Sequence, residues 1–338
     1  MTASLEPVRH RLGLNENPYG PLPSVRRALG EALTTVNRYP EFLPERLCRL
    51  IADHIGCAPT QIVVGAGATG VIMHILQAFA ASADARVVMA VPIFDGFPLL
   101  TATVGGRPVR VELRPDGSQD LTAMAAVVDD RTTVVVLCDP HNPTGTRLRQ
   151  NELTAFLDRI GPHVAVILDH AYLEFVEPAH RLDTRGIQAA YPNVIAVHTF
   201  SKAFGLAGLR VGYAVAESRT AARISHWQVP FGMNSLAEIG VAASYAATAE
   251  LDDRIHAITA ERDRLAAGLH RLGHIPPVSS ANHLFLPLPD PALIQAISAS
   301  FVRDGIRVKR HGDGIRITVG DAAATDAVLN SLAGLSAA

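Results

Sequence analysis

The stretch Asn193-Val194-Ile195-Ala196-Val197-His198-Thr199-Phe200-Ser201-Lys202 decides the fold. A nearly unbroken apolar run of this kind reads as a strand covered on both faces, as parallel strands are. It ends abruptly in hydroxyls and a single amine. Two earlier stretches repeat the plan. Residues 133–137 run into Asp139-Pro140-His141-Asn142-Pro143-Thr144-Gly145, and residues 164–168 run into Asp169-His170-Ala171-Tyr172. Ligands of open α/β sheets collect beyond the carboxyl ends of parallel strands, so three successive polar endings mark one site.

Working outward, apolar runs at 62–64, 86–91 and 108–112 alternate with helix-like stretches, one of them at 70–80. That alternation predicts an α/β fold: a large domain over 36–245 with a mostly parallel central sheet. A long, charged amphipathic helix is expected over 251–273. Predicted strands at 284–288, 305–309 and 314–319 follow, with a helix near 291–304, so 246–338 reads as a small α+β domain. Residues 1–35, with Pro18, Gly20, Pro21 and Pro23, read as an extended arm that joins the small domain rather than as a sheet element.

The chain has 338 residues, 48% of them hydrophobic and 18% charged, with a formal net charge of −2. That balance supports a globular core and gives no broad basic face for nucleic acid or an anionic membrane. No apolar run reaches the roughly 18 residues of a membrane span, and residues 1–11 carry no targeting pattern. Cys48, Cys57 and Cys138 lack the spacing of a disulfide framework or a zinc site, so no metal is expected. A cytoplasmic protein acting on small molecules is the expectation.

The chemistry centres on Lys202. An amine at the end of a buried strand has its pKa lowered by burial, which makes it a good Schiff-base former; a lysine snorkelling to solvent is the plainer explanation. The neighbours shift the balance. Ser201 and Arg210 suit an oxyanion, and Gly65-Ala66-Gly67-Ala68-Thr69-Gly70 follows a strand and opens a helix, a seat for a phosphate monoester. No acidic residue stands where a nicotinamide cofactor would need one. Asp169 is either a helix cap or the partner of a protonated pyridine nitrogen. Asn142 and Tyr172 suit the phenolic oxygen of such a ring, and Phe94 either stacks on its face or belongs to the core.

Asn142-Pro143-Thr144-Gly145, Asp169-x-x-Tyr172 and Ser201-Lys202-Ala203-Phe204-Gly205-Leu206-Ala207-Gly208-Leu209-Arg210-x-Gly212-Tyr213 resemble the fold-type I aminotransferases, which use pyridoxal 5′-phosphate. Asn15-Glu16-Asn17-Pro18-Tyr19-Gly20, Arg38-Tyr39-Pro40 and Arg316-Ile317-Thr318-Val319-Gly320 are similar to the histidinol-phosphate aminotransferase family. Phe94-Asp95-Gly96-Phe97 and Pro230-Phe231-Gly232 look closest to its actinobacterial branch, which uses aromatic amino acids such as phenylalanine. The resemblance implies that Lys202 holds the cofactor and moves the proton. Asp169 would pair with the pyridine nitrogen, and Ala68, Thr69, Ser201 and Arg210 would hold the phosphate. Tyr39 would reach that phosphate across a homodimer interface. Tyr19, Asn142, Arg316 and Lys309 would contact substrate. The implied activity is amino transfer from an aromatic or related amino acid to a 2-oxo acid. Histidinol phosphate transamination, or decarboxylation on the same scaffold, is the alternative.

The chain departs from that pattern at three places. His170 replaces the usual acidic residue after the aspartate, either inertly or with a change of local charge. Lys309 replaces an anion-binding arginine and loses its bidentate fork. Arg307 or Arg310 would have to compensate, with Arg307 and Lys309 expected on one face of a strand. Ile93 and Phe97 stand where the family has hydroxyl-bearing residues. These departures weaken the case for a dianionic substrate and are compatible with a hydrophobic substrate side chain or with an enzyme of a specialised pathway.

Overall fold

The computed structural model describes residues 8–336; the expectations for residues 1–7, the start of the arm, and 337–338 lie outside the described residues. Within that span the strands are, in chain order, β1 (His10–Arg11), β2 (Ile62–Ala66), β3 (Arg86–Val91), β4 (Arg107–Glu112), β5 (Thr132–Cys138), β6 (Ala165–Asp169), β7 (Val194–Thr199) and β8 (Val211–Val215), then β9 (His283–Pro287), β10 (Ile306–Arg307), β11 (Lys309–His311) and β12 (Gly314–Thr318). Strands β2 to β8 form one sheet in the order β2-β8-β7-β6-β5-β3-β4. Strand β8 runs antiparallel to both neighbours, and the other pairings are parallel. This is the expected α/β fold with a mostly parallel central sheet.

Alternation along each strand explains the layers. Val63, Val136, Ile167, Ile195 and Val197 face one side, where Val71, Ile72, Ile75 and Leu76 of the helix Gly67–Ala80 pack on them. Their neighbours Val135, Leu137, Val166 and Leu168 face the other side and meet Leu153, Phe156 and Leu157. Each of these buried side chains contributes roughly 1.5–3 kcal/mol by leaving water. With both faces covered, the strand ends are the accessible parts of the sheet.

Strand β8 begins directly after Arg210. Val211 and Tyr213 fill one face of it and Ala214 the other. The three-stranded sheet β11-β12-β9 carries its own core, where Leu284, Leu286, Ile315 and Ile317 pack on Ile294, Ile297, Phe301 and Val328.

Two expectations need correction. The arm is not extended throughout: α1 (Pro23–Ala32) is a helix with proline in its first turn, where no N–H is missed. Val25 of α1 packs with Ala237 and Val241. The arm also supplies a sheet element, because β1 pairs in parallel with β10. The expected strand 305–309 is likewise two strands in different sheets. Ile306 and Arg307 pair with β1, whereas Lys309 pairs with Arg316 of β12. The pairing partner changes at Val308, so Arg307 and Lys309 do not share one strand face.

The arm is fixed across the strand ends of the large sheet. Leu12 donates to the Arg307 carbonyl at 2.7 Å and accepts from the Thr318 N–H at 3.0 Å. The Asn15 N–H then donates to Thr318 Oγ1 at 2.9 Å. Residues 13–17 thereby form a roof over the carboxyl ends of β6 and β7.

Candidate active site

Beneath that roof lies a pocket of about 290 Å³. Of the residues singled out from the sequence, it gathers Ala68, Thr69, Phe94, Asn142, Asp169, Tyr172, Ser201, Lys202, Arg210, Lys309 and Arg316. The three polar strand endings converge as expected, and helix α2 (Gly67–Ala80) presents its N-terminus to the same space. Lys202 and Asp169 share this one pocket.

Lys202 Nζ donates to the Leu14 carbonyl at 3.0 Å. Burial lowers its pKa to about 8, with the Arg316 cation acting in the same direction and the Glu16 and Asp169 carboxylates opposing. The backbone beneath it is held by Asn17, whose Nδ2 donates to the carbonyls of Lys202 and Ala203. At the end of β6, Asp169 Oδ1 accepts from the Ala171 N–H at 3.0 Å. Burial raises this carboxyl to about 6, against the lowering influence of that N–H and of Lys202. A buried carboxylate with so little compensation favours a cationic partner.

Tyr172 is buried, which raises its phenol to about 12. Its oxygen accepts from Asn15 Nδ2 at 2.8 Å, leaving its own proton free to donate. Asn142 Oδ1 accepts from Arg316 Nη1 at 2.6 Å, and Arg316 Nη2 donates to the Gly13 carbonyl at 2.5 Å. Arg316 is 5% exposed and its Nε has no partner. A buried guanidinium held only by neutral acceptors is a seat for a carboxylate.

The expected anion seat is backbone chemistry. Helix α2 has no side-chain cap, so its first N–H groups and its dipole face the pocket unspent. Gly67 has φ +73°, and a Cβ there would come within 2.3 Å of Arg210 Nη2; at Gly212 it would lie 2.4 Å from the Ala68 nitrogen. The two glycines let β8, α2 and the Arg210 guanidinium close on one point. Arg210 itself adopts φ +50° and donates to the Ala207 carbonyl at 2.8 Å.

Two expected residues lie outside the pocket. Tyr19 faces Arg254, whose guanidinium carbon lies 5.0 Å from its ring centroid. Tyr39 is 85% exposed and packs on Phe231 at 5.0 Å between ring centroids. His170 is absent from the lining as well. It is buried with both ring nitrogens unpartnered, and burial lowers its pKa to about 3, so it carries no charge near neutrality. Arg307 and Arg310 do not line the pocket, and neither takes the place of the missing arginine fork. Phe94 lines the pocket and also packs edge-on to Phe97. Thr199, Leu14 and His311 also line the site without having been singled out. The hydroxyl of Thr199, just before Ser201, was the available signal; Leu14 carried none.

The sequence matches the family described as aminotransferase class I and II over residues 10–334. The chain belongs to that family. It is 40% identical to an aromatic amino acid aminotransferase of Rhodococcus jostii (strain RHA1), over 94% of this chain and 88% of that one. It is 38% identical to one of Streptomyces avermitilis, over 97% and 90%. Among solved structures, histidinol-phosphate aminotransferase from Sinorhizobium meliloti in complex with pyridoxal-5′-phosphate superposes with a TM-score of 0.91 at 28% identity, covering 97% of this chain and 92% of that one.

Proposed function

We propose that the chain is a pyridoxal 5′-phosphate-dependent aminotransferase that passes the amino group of an aromatic amino acid to a 2-oxo acid. The observation that carries this reading is the single pocket that holds an amine of lowered pKa, an acid of raised pKa, a helix N-terminus and a buried guanidinium. The residues fit the cofactor. Lys202 would bind it covalently, Asp169 would pair with its ring nitrogen, and Asn142 and Tyr172 would hold its phenolic oxygen. Phe94 would stack on the ring, while Ala68, Thr69, Ser201 and Arg210 would bind the phosphate. When bound, pyridoxal phosphate supplies an electron sink for bond breaking at the substrate α-carbon.

The protein's own work is positioning and proton transfer. Arg316 binds the substrate carboxylate, and its bond to Asn142 fixes the angle of approach. Burial lowers the Lys202 amine toward neutrality, which suits it to take a proton at the α-carbon and return it. The roof of residues 13–17 sets the Leu14 carbonyl against the amine. Amino transfer runs as two half-reactions on one site, donor first and 2-oxo acid second.

The exposed group Tyr39, Phe42, Val229 and Phe231 supports a homodimer in which Tyr39 completes the partner's phosphate seat. The core of the three-stranded sheet, separate from those on the two faces of the seven-stranded one, supports a large domain over 36–245 and a small one over 246–338, with β1 of the arm joined to the small domain and α1 packed on the large one. Among the described residues no helix is long and apolar enough to cross a membrane. The free thiols Cys48, Cys57 and Cys138 support a reducing, cytoplasmic setting.

The test pairs a variant with a substrate panel. Lys202→Ala should abolish turnover and the visible absorbance of the bound cofactor together; amino transfer by that variant ends the assignment. Phenylalanine, tyrosine and histidinol phosphate, each with 2-oxoglutarate, distinguish the aromatic reading from the histidinol-phosphate one. Release of carbon dioxide without dependence on a 2-oxo acid would instead mark a decarboxylase.

A further inference from the structure

One wall of the pocket, away from the cofactor's phosphate seat, is built by Asp95, Lys309 and His311. Asp95 stands at the N-cap of α3 (Gly96–Thr103). An aspartate there ordinarily accepts an N–H of the first turn, yet this one makes no such bond. Its carboxylate turns to β11 instead. Lys309 Nζ lies 2.6 Å from Asp95 Oδ2, and His311 Nδ1 lies 4.0 Å from Asp95 Oδ1. Alternation along β11 puts Lys309 and His311 on the same side. Burial, helped by the Arg316 charge, lowers His311 to about 4, so it adds no charge near neutrality. One cation and one anion therefore cancel on this wall. Arg316, in contrast, has no carboxylate partner among the described residues.

We propose that Asp95 is a specificity-determining residue: by masking Lys309 it makes this wall of the pocket charge-neutral, so the site favours monocarboxylates with an uncharged side chain over molecules bearing a second anion. The inference rests on the pocket being the substrate site. A substrate with one carboxylate meets Arg316 at one end and, at the other, a wall from which it need not displace anything. A distal carboxylate or phosphate has to take Lys309 from Asp95 and lie beside the displaced carboxylate. The pair is partly exposed, and exposed pairs are weak, so the second anion is disfavoured rather than shut out. A dicarboxylic 2-oxo acid can still serve as acceptor.

The experiment uses the cofactor-loaded enzyme and two unreactive probes, glutarate and 3-phenylpropionate, with dissociation constants from calorimetry. In Asp95→Asn the preference for glutarate over 3-phenylpropionate should rise roughly fivefold, the scale set by such pairs. A rise below threefold, or a fall, overturns the proposal. Lys309→Met keeps the apolar stem and removes the charge. In that background Asp95→Asn should shift the preference toward glutarate less, because only the repulsion by the carboxylate is left to remove. A shift as large as in the wild-type background would mean that Asp95 acts without masking Lys309, which also overturns it. Binding needs no turnover. A wild-type enzyme that binds both probes and fails to transaminate phenylalanine therefore refutes the aminotransferase reading alone, whereas one that binds neither removes the pocket and this inference together.

Discussion

The two ends of the pocket are built on different principles. The proposed phosphate end is backbone: the start of α2, the turn at Gly67 and the close approach of β8 at Gly212, with one guanidinium laid across them. The proposed substrate end is side chains brought from far apart, with Leu14 of the arm, Asp95 before α3, Lys309 and His311 of β11, and Arg316 of β12. A backbone cradle is rigid and tolerates no added atom. A wall of long side chains can be rebuilt one residue at a time without disturbing the fold. Substrate range is therefore free to change on a scaffold whose cofactor end is fixed.

The largest expected effect is at the rigid end. Gly212→Ala would place a Cβ 2.4 Å from the Ala68 nitrogen, 2.7 Å from the Gly67 carbonyl carbon and 2.8 Å from the His198 oxygen. All three are backbone atoms that cannot rotate away, so a loss of about 3 kcal/mol or more is expected. Denaturant unfolding measures it, and an unchanged midpoint would erase the distinction between the two ends. Gly67→Ala is milder for stability, because its added atom meets the movable end of Arg210, although its φ of +73° costs about 1–2 kcal/mol. Its cost falls on the phosphate seat: cofactor affinity in equilibrium dialysis should drop about tenfold, equivalent to roughly 1.4 kcal/mol.

Arg316→Gln sharpens the comparison from the other side. The variant removes a charged partner for the substrate carboxylate, so KM for phenylalanine should rise on the order of 30-fold, or about 2 kcal/mol. Stability should fall little or even rise, because the cation is buried with neutral partners and an orphaned Nε, a costly arrangement. Unfolding that tracks the loss of substrate binding would mean that this end is structural after all.

The same contrast governs what was legible in the sequence. The phosphate seat and the amine are local: Ser201-Lys202 ends one strand, Gly67-Ala68-Thr69 follows another, and a few consecutive residues carry both chemistry and position. The substrate end depends on separations of about 300 residues, such as the Asn15 N–H on Thr318 Oγ1, which no local pattern encodes. Pairing of His10–Arg11 with Ile306–Arg307 escaped notice because two-residue strands show no periodicity. Helix α1 was hidden by its own first-turn proline, which reads as a breaker until the helix after it is known. Lys309 was visible as a lone cation, yet its meaning changed once Asp95 was found beside it.

The smallest expected effect concerns His170, which sits next to Asp169 in sequence but outside the pocket. Its ring lies 5.2 Å from that of His198, nearly edge-on, and neither ring nitrogen has a partner. Burial lowers its pKa from 6.5 to about 3, with the Arg147 and Arg181 charges adding to the effect. A cation whose pKa is depressed in the folded state contributes stability that is present above pH 6.5 and is lost as pH falls from there toward 3. Asp169 works with the opposite sign. Its pKa is raised to about 6, so its contribution is lost as pH rises between about 4 and 6. His170→Leu removes only the first of these. The variant's stability should stay within about 1 kcal/mol of wild type at pH 7 and gain on it as the solution is acidified. The gain is at most about 1.4 kcal/mol per pH unit below 6.5, read from denaturant midpoints at pH 7, 6 and 5. A difference that stays constant over that range would mean that His170 titrates alike in the folded and unfolded chain, and that its buried ring nitrogens are reached by water.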